Sequence, residues 1–228
     1  MKSEILQRVL KARQSRQALA VITRLADGEQ RIVLRDALEG DPFAEALETA
    51  FRFDKSQVAE HHGDEYFLDI HNPPLKMVVV GAVHIAQALI PIAQATGFHV
   101  IVIDPRGAFA TEARFPGVEL HDEWPDEVLD DIGIDTRTAV IALTHDPKID
   151  DPALTMALKS DAFYIGALGS KRTHASRLER LGGNGLDGEQ LARINGPIGL
   201  HIGAKGQAEI AVAVMAKVIE QLRLGDGA

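Results

Sequence analysis

Cysteine is absent from the 228-residue sequence. The chain therefore forms no disulfide and offers neither a thiolate metal ligand nor a cysteine nucleophile, so any sulfur chemistry must use the sulfur of a partner. No apolar run approaches the roughly 20 residues that span a bilayer, and the N-terminal stretch MKSEILQRVLKARQSRQ is charged and helical rather than signal-like. We expect a cytoplasmic protein without a membrane partner.

Positive charge is also scarce, because 24 Lys and Arg residues stand against 33 Asp and Glu residues and leave a formal net charge of −9. A chain with this balance has no general attraction for nucleic acid, so any anion binding must rely on local groups. The hydrophobic share of 46% is sufficient for a proper core. The length fits one large domain, or a Rossmann-sized domain with a small one.

A double proline, Asn72-Pro73-Pro74, is the best candidate for a domain boundary, because proline breaks regular structure and restricts the residue before it. The pattern predicts a small N-terminal α+β domain over residues 1–72 and a larger domain over residues 73–228. The elements expected in the small domain are a helix over Ser3–Arg16, a hairpin of Ala18–Leu25 with Gln30–Leu34 across Asp27-Gly28, and a helix over Asp41–Phe51.

The larger domain opens with KMVVVGAVHIAQALIPIAQATGFHVIVIDPR, residues 76–106. An apolar strand, a turn at Gly81, a helix and a second apolar strand form the opening of a dinucleotide-binding unit. Asp104 lies 23 positions after Gly81, where an acidic residue accepts ribose hydroxyls. Ala86 is an accepted variant of the third fingerprint glycine, whereas Val83 replaces the glycine that lets the backbone approach a pyrophosphate.

Strands and helices continue to alternate after Arg106, which predicts an α/β fold with a Rossmann-like, doubly wound, mostly parallel sheet. The expected strands are Val118–Leu120, Thr138–Leu143 and Phe163–Ile165. The expected helices are Asp126–Asp131, one from Asp151-Pro152 to Ser160, one capped by Ser170 and running to Leu181, one from the capping box of Asp187 and Gln190 to Ile194, and the apolar Gln207–Leu224.

Candidate binding residues follow four of these strands, at the sheet edge where open α/β folds collect ligands. They are Gly81, Ala82, Val83, His84, Asp104, Arg106, Thr144, His145, Asp146, Gly166, Gly169, Ser170, Lys171 and Arg172.

Each polar member of this set has a binding role and a structural alternative. His84 donates to a phosphate or caps its turn, Asp104 binds ribose hydroxyls or ends a strand, and Arg106 pairs with a phosphate or lies exposed on a loop. Lys171 and Arg172 oppose a helix dipole that a bound anion would relieve. Alternatively, these two cations begin a solvated basic face that continues through Arg177 and Arg180.

The segment Thr144-His145-Asp146 offers two metal ligands without a third at suitable spacing, so we expect no metal site. A contact with phosphate or water is the favoured role. A His-Asp pair also suits acid–base chemistry, yet no nucleophile is identifiable by spacing, and we assign no catalytic residue.

The ordered set GAVHIAQAL, VIDPR, LTHDPKIDDPAL, YIGALGSKRTH and PIGLHIGAKGQAEIAVAVMA, within residues 77–216, resembles the xanthine dehydrogenase accessory factor family, XdhC/CoxI. The resemblance implies a chaperone that binds the molybdenum cofactor, as molybdopterin or its dinucleotide form, and is not itself a turnover enzyme. It further implies help with sulfuration and with insertion into a hydroxylase such as xanthine or carbon monoxide dehydrogenase. The implied partners are the hydroxylase apoenzyme and a cysteine desulfurase or sulfurtransferase.

This sequence departs from the family pattern at two places, so the family roles of those residues do not transfer to it. Many members have glycine where this chain has Val83, and their N-terminal domain has a glycine-rich segment with a cysteine, which residues 1–70 lack. Two other functions stay open: an NAD(P)-dependent oxidoreductase, and a ligand-free scaffold that bridges hydroxylase and sulfurtransferase. The apolar last helix predicts a homodimer.

Overall fold

The computed structural model describes residues 2–225, and the chain divides into two compact units, Met1–Pro73 and Pro74–Ala228. The first unit is a four-stranded antiparallel sheet with a helix on each face. Its elements are α1 (Ser3–Gln14), β1 (Leu19–Arg24), β2 (Gln30–Leu34), a 3-10 turn (Arg35–Ala37), α2 (Ala44–Phe53), β3 (Gln57–His61) and β4 (Asp64–His71), with the strand order β2-β1-β4-β3.

Alternation along β1 explains why both faces of this sheet are covered. Leu19 and Val21 pack against Ile5, Val9 and Ala12 of α1. The residues between them, Ala20 and Ile22, pack against Leu47 and Phe51 of α2. Because successive side chains of a strand point to opposite faces, one apolar strand stabilises both helices. The predicted β1–β2 hairpin is confirmed, with Leu19 opposite Leu34.

The second unit is a six-stranded sheet in which every pair is parallel. Its strands are β5 (Leu75–Val80), β6 (Phe98–Ile103), β7 (Glu119–His121), β8 (Thr138–Ala142), β9 (Tyr164–Ala167) and β10 (Ile194–Asn195) in the order β10-β9-β8-β5-β6-β7. Its helices are α3 (His84–Ala95), α4 (Pro125–Ile132), α5 (Pro147–Leu158), α6 (Lys171–Gly183), α7 (Gly188–Ala192) and α8 (Gln207–Leu224). The predicted doubly wound α/β fold with a small N-terminal α+β part is confirmed.

The central strand β5 is buried along its whole length, as its continuous apolar run indicates. Met77 and Val79 face α3 and α8, whereas Val78 and Val80 face the core formed with α4 and α5. The two helical layers therefore hold the carboxyl end of β5 in a fixed position between them.

The bounds of some predicted helices differ in the structure. α5 begins at Pro147 and not at Asp151, because Asp146 caps it by accepting from the Lys148 amide at 3.0 Å. Pro152 consequently lies inside α5. α7 ends at Ala192, so Ile194, expected at the end of this helix, lies in β10. The connection from β6 to β7 is a loop over residues 104–118.

α8 has the predicted bounds and packs mainly against α3. Val214 and Val218 are buried in the shared core, whereas Val212 and Ile219 remain exposed on the opposite side of the helix. The predicted homodimer stays a prediction. Over residues 2–225, no helix has the length and apolar content needed to cross a membrane.

Candidate functional site

The carboxyl ends of four neighbouring strands meet at one edge of the second sheet. β6 and β8 flank β5 on opposite sides, so the strand order reverses here and creates the crevice in which open α/β sheets bind ligands. Gly81 follows β5, Asp104 follows β6, Thr144 lies just beyond β8, and Leu168 follows β9. All four predicted segments therefore share this edge.

Gly81 is required at this position by its conformation and by its neighbours. Its φ is +112°, a region that side chains other than glycine rarely adopt. A Cβ atom there would lie 2.7 Å from Thr144 Cγ2 and 3.2 Å from the Thr144 amide nitrogen. The turns after β5 and β8 are thus packed directly against each other.

Asp104 is fully buried and points into the protein. Its Oδ2 accepts from the Ala82 amide at 2.8 Å and from Arg106 Nη2 at 2.7 Å, while Oδ1 accepts from Arg106 Nε at 2.8 Å. Burial opposes ionisation, but the hydrogen bonds from Arg106 and Ala82 outweigh it, so the pKa of the Asp104 carboxyl is lowered. Asp104 therefore holds the glycine turn, and its oxygens are not presented to a ribose.

Arg106 is fixed between this carboxylate and an aromatic ring. Its guanidinium carbon lies 4.6 Å from the centroid of Phe109, and its Nε and Nη2 atoms face Asp104. The hydrogen bond with Asp104 raises the pKa of Arg106 further. The pair of donors assigned from the sequence to a phosphate is thus occupied by Asp104 in this conformation.

The amino terminus of α3 provides donors for an anion. The N-cap residue, Val83, has no side-chain acceptor, and its side chain packs against the core. His84 is the first residue of α3 and is exposed. Because the first amides of a helix lack intrahelical acceptors, an anion near His84 would satisfy them.

Thr144, His145 and Asp146 adopt three different roles. Thr144 Oγ1 donates to Asp150 Oδ1 at 2.7 Å, and the His145 amide donates to Asp150 Oδ2 at 3.1 Å. Asp146 caps α5. His145 has a φ of +62° and an exposed side chain, so only this residue of the three presents its side chain outward.

A buried ion pair lies beneath this segment and was not predicted from the sequence. Arg177, which the alternative interpretation placed on a solvated basic face, is 1% exposed, and its Nη2 lies 3.7 Å from Asp150 Oδ2 and 2.9 Å from the Leu168 carbonyl oxygen. Burial raises the pKa of Asp150 and lowers that of Arg177. The spacing of four residues between Arg177 and the buried Leu181 was the signal that α6 turns this side inward.

Two nitrogens of Arg177 are left without a partner. Nε and Nη1 are buried and have no acceptor within the described part of the chain. An unsatisfied buried donor of a charged group is costly. The interior position of Arg177 is therefore costly, and the Asp150 carboxylate and the Leu168 carbonyl oxygen offset only part of that cost.

The β9–α6 connection has one part that is packed inside the protein and one part that is exposed. Gly166 is enclosed, because a Cβ there would lie 2.6 Å from Ile198 Cγ1 and 2.7 Å from Tyr164 Cε1, so it serves packing and not the approach of a ligand. Ser170 caps α6 as predicted, accepting from the Thr173 amide at 3.2 Å. Lys171 and Arg172 follow it and are exposed at the start of the helix. Gly169, with φ +150°, forms the bend between the two parts.

Taken together, the edge offers donors and cations to a ligand. Exposed Lys171 and Arg172 and the uncapped start of α3 favour an anion, whereas Asp104 and Asp150 are buried and internally bonded. This chemistry fits a phosphate-bearing molecule. Within residues 2–225 no group of three or more His, Asp or Glu side chains is arranged to hold a metal ion.

Comparison with known proteins identifies the family. Residues 77–218 match the family model described as the XdhC Rossmann domain. The chain belongs to the XdhC family. The matched residues include the whole crevice and most of α8, and they confirm the resemblance recognised in the sequence motifs.

Named relatives of this XdhC chain come from more than one bacterium. It is 33% identical over 148 residues to the molybdenum cofactor insertion chaperone PaoD of Escherichia coli, covering 64% of this chain and 40% of PaoD. It is 33% identical over 156 residues to a protein of Bacillus subtilis named as a probable xanthine dehydrogenase subunit, covering 68% of this chain and 45% of that protein. The chain thus spans less than half the length of these relatives.

A solved structure is also similar. The crystal structure of a xanthine dehydrogenase from Bacillus halodurans superimposes with a TM-score of 0.69 and 25% sequence identity. The similarity covers 99% of this chain and 66% of that one.

Proposed function

We propose that this XdhC-family protein binds the molybdenum cofactor in the crevice at the carboxyl edge of its parallel sheet and assists insertion of the cofactor into a molybdenum hydroxylase. The observation that carries the proposal is the uncapped start of α3 together with the exposed Lys171 and Arg172, which suits the phosphate of a molybdopterin and lies within the segment that matches the family model. The name of the PaoD relative, a molybdenum cofactor insertion chaperone, supports the same cargo.

The exposed members of the predicted set, and the Asp104–Arg106 pair, have a place in this proposal. His84 and the first amides of α3 bind one phosphate, and Lys171 and Arg172 supply the compensating charge from α6. Asp104 and Arg106 act as positioning residues, because they orient the Ala82 amide. His145 provides a polar side chain at the mouth of the crevice, next to the end of β8.

The proposed task is binding and release, with no turnover chemistry in this chain. A carrier must hold its cargo reversibly, and a site of exposed cations and helix amides is suited to that because it makes no covalent bond. We further propose a cysteine desulfurase or sulfurtransferase as the source of sulfur for the cofactor, since this sequence has no cysteine. The hydroxylase apoenzyme is the proposed acceptor.

The nicotinamide alternative receives less support from the geometry. An NAD site of this fold needs an acidic side chain free to accept ribose hydroxyls, whereas Asp104 is buried and bonded to Ala82 and Arg106. Val83 also occupies the position of the glycine that admits a pyrophosphate.

A transfer assay tests the proposed function. Protein purified from cells that synthesise the cofactor is mixed with hydroxylase apoenzyme, and the appearance of hydroxylase activity is followed over time. We expect wild type and Lys159→Ala to activate the apoenzyme equally, because Lys159 is exposed just beyond the far end of α5. His84→Ala combined with Arg172→Ala should lose most of the transfer while keeping its circular dichroism spectrum. Equal activation by the double variant would refute the site.

A further inference from the structure

A second concave feature adjoins the crevice, between the β9–α6 loop and the segment over residues 197–205 that precedes α8. Its volume is about 760 Å³, within the range of about 300–1,000 Å³ that accommodates drug-sized ligands. Gly169 and Lys171 belong both to its wall and to the site proposed above. The cavity is therefore continuous with the crevice through the β9–α6 loop.

The lining of the cavity combines aliphatic side chains with cations. Its aliphatic walls are formed by Leu168, Ile198, Leu200, Ile202, Ile210 and Val214. Lys171 and Lys205 lie at its rim, and no Asp or Glu among the described residues lines it. Gly203 has open space where a side chain would lie, so the wall also offers backbone donors and acceptors. Aliphatic walls, backbone polar groups and a cationic rim together suit a planar heterocycle that carries an anion.

The base of the cavity is held in place by specific contacts. The Tyr164 hydroxyl donates to the Ile198 carbonyl oxygen, and the Leu200 amide donates to the Ala213 carbonyl oxygen at 3.0 Å. A Cβ on Gly199 would lie 2.8 Å from the Ala213 carbonyl carbon, so this segment lies directly on α8. These contacts fix the base of the cavity, whereas Ile202 at the lip is 53% exposed.

Charge at the two helix starts determines how a ligand would lie. Glu209 Oε2 already accepts from the amides of Lys205 and Gly206, at 2.7 and 2.9 Å, so the start of α8 carries its own carboxylate. At α6 the first-turn residues are Lys171 and Arg172, with no acidic residue. An anionic group is therefore favoured on the α6 side, next to Lys171, with the ring extending towards Lys205.

We propose that this cavity binds the heterocyclic ring of a phosphate-bearing ligand, with the phosphate on the β9–α6 loop. The inference rests on the proposed function and deepens it, because both a pterin phosphate and a nucleotide have this chemistry and both occur in the dinucleotide form of the cargo. Ile198, Leu200, Ile202 and Lys205 become specificity residues for the ring.

The test is calorimetric titration of the full chain with four probes: GMP, a phosphorylated hydroxymethylpterin, octyl phosphate and inorganic phosphate. Ala204→Trp fills the cavity from its half-buried lip, and Lys205→Gln removes a rim charge that the crevice does not use. Ala192→Trp and Lys159→Gln are the matched controls, because both positions are exposed and lie outside this cavity.

We expect one or both ring-bearing probes to bind wild type and both controls more tightly than octyl phosphate or inorganic phosphate. Ala204→Trp should weaken that binding at least tenfold, and Lys205→Gln should weaken it less. A preference for the pterin assigns the cavity to the pterin part of the cargo, and a preference for GMP assigns it to the nucleotide part. Absence of ring binding by wild type, equal binding of octyl phosphate, or unchanged affinity in Ala204→Trp would each overturn the proposal.

Failure here is distinguishable from failure of the proposed function. The titration uses no molybdenum cofactor, so it can succeed or fail whether or not the transfer assay does. If Ala204→Trp retains the cofactor and transfers it like wild type, the cavity assignment is wrong while the crevice assignment stands.

Discussion

Two ion pairs join α5 to α6 side by side, and they allow burial to be tested against distance. Asp150 and Arg177 are separated by 3.7 Å, and both side chains are 2% exposed. The neighbouring pair, Asp151 and Arg180, is closer, at 2.8 Å, but its side chains are 13% and 39% exposed. If distance decides, breaking the Asp151–Arg180 pair lowers the free energy of unfolding more. If burial decides, breaking the Asp150–Arg177 pair lowers it more.

We expect burial to decide. Breaking a buried pair by removing one partner costs about 3–5 kcal/mol, because the other charge stays buried without compensation. Exposed pairs contribute about 0–1 kcal/mol. Asp150 in addition accepts from the Thr144 hydroxyl and from the Thr144 and His145 amides, which places its removal in the upper part of that range. Such a loss is a large part of a total stability of about 5–15 kcal/mol.

The measurement is urea unfolding at neutral pH, followed by fluorescence of Trp124. This residue is the single tryptophan of the sequence and belongs to the second unit, so it reports on the unit that carries both pairs. Asp150→Asn is compared with Asp151→Asn through the free energy of unfolding at constant m-value. Arg177→Met is then added to Asp150→Asn, and we expect much of the loss to be restored because no unpaired charge remains.

The reasoning would be refuted if Asp151→Asn lowered the free energy of unfolding as much as Asp150→Asn does, or more. A double variant no more stable than Asp150→Asn would show that the buried guanidinium is not the source of the cost.

Three further predictions concern single positions. Gly81→Ala should lower the free energy of unfolding by about 1–3 kcal/mol in thermal or urea unfolding, because of its positive φ and the contact with Thr144. The lowered pKa of Asp104 means that its carboxylate stabilises the fold above about pH 4 and loses this effect as pH falls through the folded value. Asp104→Asn should therefore lower the free energy of unfolding at pH 7. In this variant the free energy of unfolding should also fall less steeply as the pH is lowered below about 4. Ser170→Ala should cost about 1 kcal/mol through loss of the α6 cap, whereas Ser176→Ala, on the exposed side of α6, should cost less than half of that.

Local patterns in the sequence were sufficient to predict most helices and strands of the second unit. The apolar runs at β5 and β6, the turn at Gly81, the Ser170 cap and the bounds of α8 each depend on a few neighbouring residues, and each is found as predicted. Parallel strands also place their carboxyl ends at one edge by necessity, which is why the candidate segments meet.

Properties that depend on contacts between distant segments were not predictable in this way. Asp104 faces inward because Ala82 and Arg106 supply four donors to it, and a sequence position after a strand does not reveal that. Arg177 is buried because α6 packs this face against Asp150. The start of α5 was misplaced because two prolines compete, and the Asp146 cap favours Pro147.

The central claim, that the crevice carries a molybdenum cofactor, is tested most directly by mass spectrometry. Small molecules are released from wild type and from the combined His84→Ala and Arg172→Ala variant, both purified from cells with active cofactor synthesis. We expect molybdopterin or its dinucleotide form in the wild type and a strong depletion of it in the variant. A wild type that carries only a nicotinamide nucleotide or no pterin, or a variant that retains the full amount, would contradict the claim.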